Sequence, residues 1–150
     1  MAKKPSRLIW ATVITDASFC HKTKKAGWAA WIRIDGISEP IKKYGSFKCH
    51  IGTSQIAEKK AALNGISIAK AHGADAVFLQ TDCLSVVHLI TGFTKKKRPI
   101  NQWNRWKRDA CVSDVKLKAK HVRGHTKVQD ARSHVNRWCD EMANAARLAT

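Results

Sequence analysis

The chain has 150 residues, with 28 Lys or Arg against 11 Asp or Glu and a formal net charge of +17. Its 44% hydrophobic content and six tryptophans supply a core, which excludes a disordered basic tail. The charge points to a polyanionic partner, nucleic acid ahead of an anionic membrane surface. No apolar run approaches the ~20 residues of a membrane span.

Residues 1–6 read as a flexible basic N-terminus on a single domain covering 1–150. The opening MAKKPSRLIWATVIT imitates a secretory leader, but two Thr interrupt its apolar stretch and no small-x-small cleavage site follows. Five cysteines, an odd number without a CxxC pair, imply reduced thiols and a cytoplasmic setting.

Residues 8–15 are apolar on both alternate faces, as a buried central strand would be, and Asp16 closes the run. After a loop over 17–25, a second strand is expected over 27–34. Asp35 and Gly36 supply a turn into a third strand over 41–48, giving an antiparallel meander. A helix follows from Ser54, its expected cap, to Ala71, with Gly73 as its stop. Glu58, Ala61, Ala62, Gly65 and Ala69 share one side, a small-residue stripe that would lie close to the sheet and aim Glu58 at it.

A short buried strand over 76–81 ends at Asp82. Helices are expected over 84–91 and 100–112, separated by FTKKKRP. Residues 115–122 alternate apolar and basic, as an edge strand with one wet, cationic face does. The loop RGHTKVQDARS leads to a last helix over 134–148. This order predicts an α/β fold: a five-stranded mixed sheet flanked by helices, with strands 1–3 antiparallel and 1, 4 and 5 parallel.

Four of the scarce acids stand beside the core. Asp16 and Asp82 end the two strands expected to be central and parallel, where ligands of mixed sheets collect. Glu58 enters from the helix between them, and Asp140 sits in the last helix beside Cys139 and Ala143. Four converging carboxylates repel one another unless cations fill the site. All-oxygen ligands suit Mg²⁺, with Mn²⁺ as a substitute. Two such ions about 3.5–4 Å apart suit phosphodiester hydrolysis. The reading left open beside this one is that the strand-end and helix-end acids are caps. The Cys-His neighbours (Cys20-His21, Cys49-His50) lack the paired spacing of structural zinc sites. Trp103 and Trp106 are expected in the core rather than stacked on bases. The run Lys95, Lys96, Lys97 and Arg98 would track a phosphate backbone.

The segments VITDASFC, TSQIAE, LQTDCLSV and RGHTKVQDARSHVNRWCDEMANAAR resemble, in that order, the motifs of type 1 ribonuclease H. The resemblance covers about residues 8–148. No single motif is decisive, but the ordered set of four, with a Gly-His loop before the last, is specific. It implies a ribonuclease H-like fold and a two-metal endonuclease that cuts the RNA strand of RNA–DNA hybrids, leaving 5′-phosphate and 3′-hydroxyl ends. By the resemblance, Asp16, Glu58, Asp82 and Asp140 bind metal and His125 assists proton transfer or product release. It also implies substrate contacts at Thr53, Ser54 and Gln55, and a polar position near the site at Asn136. Ser18, two residues after the first Asp, is a further candidate contact. No membrane and no obligatory protein partner are implied. The chain departs from the family in Ala17 for the usual Gly, Cys83 for the commoner Ser, a longer His125 loop and a truncated basic protrusion. Two rivals remain: a nuclease of this fold with another substrate, either DNA-directed or a ribonuclease H domain detached from a reverse transcriptase, and a non-catalytic binder of hybrid or double-stranded RNA.

Overall fold

The computed structural model describes residues 7–122 and 131–149, the side chains of 131–133 excepted. The basic residues 1–6 and the loop carrying His125 lie outside the described residues. In chain order the elements are β1 (Trp10–Phe19), β2 (Ala26–Ile34), β3 (Ile41–Ser46), α1 (Ser54–Ala71), β4 (Ala76–Thr81), α2 (Leu84–Thr91), α3 (Lys97–Asp109), β5 (Lys116–His121) and α4 (Ala131–Leu148). The strands form one sheet in the order β3-β2-β1-β4-β5. Pairing is antiparallel from β1 through β2 to β3, and parallel from β1 through β4 to β5, as the sequence pattern predicts.

Two apolar layers hold the sheet between helices. On one face Val13, Ile32, Val77 and Leu79 pack with Ala62, Leu63 and Ile66 of α1 and with Trp103 of α3, all of them buried. On the other face Ile14 and Ala29 meet Cys139 and Ala143 of α4. Close approach is built into both layers. A Cβ at Gly65 would lie 2.6 Å from Val13 Cγ1 and 2.8 Å from Thr15 Cγ2, so only glycine lets α1 rest on β1 at this distance. A Cβ at Gly27 would fall 2.6 Å from the Arg147 amide and closer still to the Ala143 carbonyl, so α4 sits on bare β2 backbone.

Several boundaries differ from the sequence expectation. β3 ends at Ser46 rather than 48, α3 at Asp109 rather than 112, and α4 starts at Ala131 rather than 134. Three others have a clear local cause. β1 does not end before Asp16 but runs on to Phe19, because β2 continues to pair with it through Ser18↔Gly27 and Phe19↔Ala26. Its parallel neighbour stops earlier, at Ile14↔Gln80. The sheet therefore forks beyond Ile14. Helix α3 starts at Lys97 rather than 100, with Pro99 inside its first turn, where a missing N–H leaves no bond unmade. Helix α1 is capped by Thr53, whose Oγ1 accepts from the Ile56 amide at 3.2 Å, and Ser54 is its first helical residue.

Candidate active site

The fork is where the carboxylates meet. Asp16 projects from the part of β1 that β4 no longer flanks, and Glu58 reaches it from the second turn of α1. Asp82 follows the last residue of β4, in a turn where Thr81 Oγ1 accepts from the Cys83 amide at 3.1 Å. That turn is held from β5: the Val122 amide donates to the Thr81 carbonyl at 3.0 Å, and His121 Nε2 donates to the Asp82 carbonyl at 3.1 Å. One carboxylate oxygen from each of Asp16, Glu58 and Asp82 lies within 4.8 Å of the other two. The Ala17 amide donates to Asp16 Oδ1 at 2.9 Å and to Glu58 Oε1 at 3.3 Å. A single backbone N–H thus fixes two of the three acids.

The electrostatics of this cluster are unfavourable as it stands. Burial, then the Asp82 and Asp140 charges, raise the Asp16 carboxyl from its ordinary value to about 7, against the lowering effect of the Ala17 amide. Burial and the charges of Asp16 and Asp82 raise Glu58 to about 10. Glu58 Oε2 is buried without a hydrogen-bond partner. An orphaned carboxylate oxygen among crowded acids is relieved by a proton or by a cation, and three oxygen donors suit a hard divalent ion. The residues present fit Mg²⁺ or Mn²⁺.

This arrangement links stability to pH. The unfolded chain would ionise Asp16 and Glu58 near pH 4, whereas the folded chain holds their protons to about 7 and about 10. Between those limits the native state binds more protons, so their contribution to stability is full below about pH 4 and is lost as pH rises. Thermal melting without metal should therefore show wild type losing stability relative to Glu58→Gln between pH 5 and pH 8. Mg²⁺ should raise the wild-type Tm more at pH 8 than at pH 5, because protons compete for the same oxygens. A gap to Glu58→Gln that did not change with pH would contradict this electrostatic account.

Asp140 stands outside the cluster of three, in α4 beside the buried Cys139, yet its charge is one of those that raise Asp16. Asn136, one turn earlier, is half-buried and lies past the first turn of α4, so it is not a cap. His125 lies outside the described residues. Thr53, Ser54 and Gln55 are exposed at the N-terminus of α1, the helix end whose dipole favours an anion. The cap bond uses the Thr53 oxygen as acceptor and leaves its O–H to donate. Lys95, Lys96, Lys97 and Arg98 are all exposed at the start of α3. Ser18 is drawn into the scaffold: its hydroxyl donates to Asn144 Oδ1 at 2.5 Å and accepts from Arg147 Nε at 2.7 Å. Trp103 is buried, and Trp106 is half-buried with the Lys60 ammonium 4.6 Å from its ring centre.

Two contributors were not singled out from sequence. The Ala17 amide could not be, since any residue but proline carries that group. His121 could have been, as a polar residue ending an edge strand that runs parallel to the strand before Asp82.

The RNase H family model matches residues 10–147. Among curated proteins none matches the sequence. Among solved structures the chain is similar to the N-terminal RNase H domain of a Mycobacterium tuberculosis protein, at 18% identity and TM-score 0.71 over 94% of this chain and 95% of that one. RNase H1 from the halophilic archaeon Halobacterium salinarum is similar at 17% identity and TM-score 0.69, over 94% and 99%. LC11 RNase H1 in complex with an RNA/DNA hybrid is similar at 15% identity and TM-score 0.66, over 93% and 97%. At these identities the structures establish the shared fold.

Proposed function

The chain belongs to the RNase H family, and from that premise we propose that it is an endonuclease that hydrolyses the RNA strand of RNA–DNA hybrids by a two-metal-ion mechanism, leaving 5′-phosphate and 3′-hydroxyl ends. The observation that carries the reading is the trio Asp16, Glu58 and Asp82 gathered within 4.8 Å at the fork of the sheet, with one buried carboxylate oxygen unpartnered. Two Mg²⁺ ions, or Mn²⁺ in their place, would supply an activated water and charge neutralisation at the leaving oxygen.

The protein's own residues do the rest. Asp16, Glu58 and Asp82 would hold the cations, and Asp140 would complete the cage from α4. The Ala17 amide keeps Asp16 and Glu58 aimed inward, so little reorganisation is needed when substrate arrives. Thr53 would donate to a phosphate of the DNA strand, helped by the helix N-terminus beneath it, with Ser54 and Gln55 beside it. Lys95, Lys96, Lys97 and Arg98 would neutralise phosphates farther along, and Asn136 would contact the substrate near the metals. His125 would relay a proton or speed product release. The hybrid bound in the similar LC11 structure supports this substrate class. The five cysteines are free, which fits a cytoplasmic setting. Among the described residues no helix is long and apolar enough to cross a membrane.

The test is strand choice. With Mg²⁺ and a hybrid labelled on each strand in turn, the RNA strand should be cut and the DNA strand left whole. Duplex DNA should be cut at least about 10²-fold more slowly, because a site that binds 2′-hydroxyls rejects a strand lacking them. Equal rates on duplex DNA would favour the DNA-directed rival. Binding without any cleavage would favour the non-catalytic one.

A further inference from the structure

Helix α4 packs on β1, β2 and β3, and among the described residues no helix packs on the same face of β4 and β5. On β5, Leu117 and Ala119 pack into the core on the opposite side of the sheet. Strand alternation therefore throws Lys116, Lys118 and Lys120 onto the face that α4 does not reach, and all three are exposed. The Lys116 and Lys118 ammonium groups lie 5.9 and 5.3 Å from the ring centre of Trp10. The cross-strand register aligns Arg33, Thr12, Phe78 and Lys118 in one row. Arg33 is exposed, and Trp10 and Phe78 are half-buried between the cations. None of the four cations forms a salt bridge among the described residues. The Asp75 carboxylate, at the start of β4, is taken up by the Ile9 amide at 3.0 Å.

This comb of lysines leads to the carboxylates. The residue after Lys120 is His121, whose ring bonds the Asp82 carbonyl. Trp10, Thr12, Ile14 and Asp16 alternate onto one face of β1, but α4 covers Ile14 between the aromatic floor and the acid, so the open route to the carboxylates runs along β5 to His121. We propose that this face of β5 and β4, with the Trp10 end of β1, is a track for single-stranded nucleic acid continuing from the substrate held at the carboxylates. Lysines two residues apart on a strand recur every ~6.6 Å, a repeat that suits the phosphates of one extended strand. Trp10 and Phe78 offer the apolar surface on which bases or sugars of such a strand rest. A duplex keeps its bases inside and could not use that floor. The track deepens the nuclease reading by naming a substrate class: hybrids with a single-stranded extension.

The test uses the full chain, a fluorescein-labelled oligodeoxythymidine 20-mer and a blunt hybrid of fixed sequence. The triple variant Lys116→Gln, Lys118→Gln, Lys120→Gln should bind the oligonucleotide at least about 10-fold more weakly. Its log–log salt slope should fall by about 2, the loss of three single-strand phosphate contacts. Cleavage of the blunt hybrid should stay within about 2-fold of wild type, and the advantage of a single-stranded extension should disappear. Lys118→Gln alone, a single exposed change, should move the same readouts part of the way and guards against misfolding of the triple variant. Unchanged oligonucleotide affinity and slope would overturn the track. So would an equal loss on the blunt hybrid, or lysine-dependent binding of phosphatidylserine vesicles without binding of the oligonucleotide. If wild type bound the oligonucleotide through these lysines but cut no hybrid, the nuclease reading would fail and the track would stand.

Discussion

Asp82→Asn is expected to lower cleavage of a labelled hybrid in Mg²⁺ by about 10³-fold or more, equivalent to roughly 4 kcal/mol of transition-state stabilisation. Binding should survive. Asp82 is the exposed member of the trio, so the amide fits where the carboxylate stood, and the lost negative charge eases approach of a polyanion. The expected hybrid affinity is at least that of wild type. The metal-free protein should also melt higher at pH 8. The Asp82 charge raises both Asp16 and Glu58, and removing it relieves repulsion that folding otherwise has to impose. A cap lost by mutation would do the reverse, lowering stability with little effect on rate. Retained cleavage would sink the two-metal reading.

Gly27→Ala is expected to be the most damaging added methyl among the described glycines. The new Cβ would meet the backbone of α4 at Arg147 and Ala143 rather than a side chain able to turn away. The helix must lift, and overpacking of this kind destabilises by about 3 kcal/mol or more, equivalent to roughly 6–12 °C in Tm. Gly27 pairs with Ser18, whose hydroxyl is bonded to Asn144 and Arg147 of the same helix. Lifting α4 would break that lock and shift Asp140 as well, so the folded remainder should be impaired on hybrid. Gly45→Ala is the control. There a Cβ would touch only Trp28 side-chain atoms at 3.4–3.5 Å, and both Tm and rate should stay near wild type. A wild-type Tm for Gly27→Ala would contradict the seating of α4 on bare β2 backbone.

Much of this was legible in the sequence because the signals were periodic or punctuated. The small-residue stripe of α1 gave its sheet-facing side, and the alternation in β5 gave an edge strand with a cationic face. The boundaries that were missed are those that tertiary partners decide. Asp16, Ala17 and Ser18 break an apolar pattern and read as a loop, yet β2 pairs with them and extends β1 to Phe19. Pro99 reads as a barrier to a helix that in fact begins two residues before it. At the site, residue identity pointed to four acids, while the structure gathers three closely and leaves Asp140 outside them. Spacing along a helix cannot reveal that difference, because it depends on where α4 lands on the sheet.

The shared amide at position 17 bears on how the site tolerates change. What the carboxylates take from that residue is its N–H, donated to Asp16 and Glu58 together. Its side chain plays no part in either bond, and it pairs within β1 as ordinary extended backbone, outside the left-handed region that would demand glycine. Alanine in place of the family's usual glycine is therefore a neutral exchange as far as holding the acids is concerned. Nineteen of the twenty amino acids could supply the proton that this site needs. Proline alone could not, so a position that looks variable side chain by side chain is constrained through its main chain.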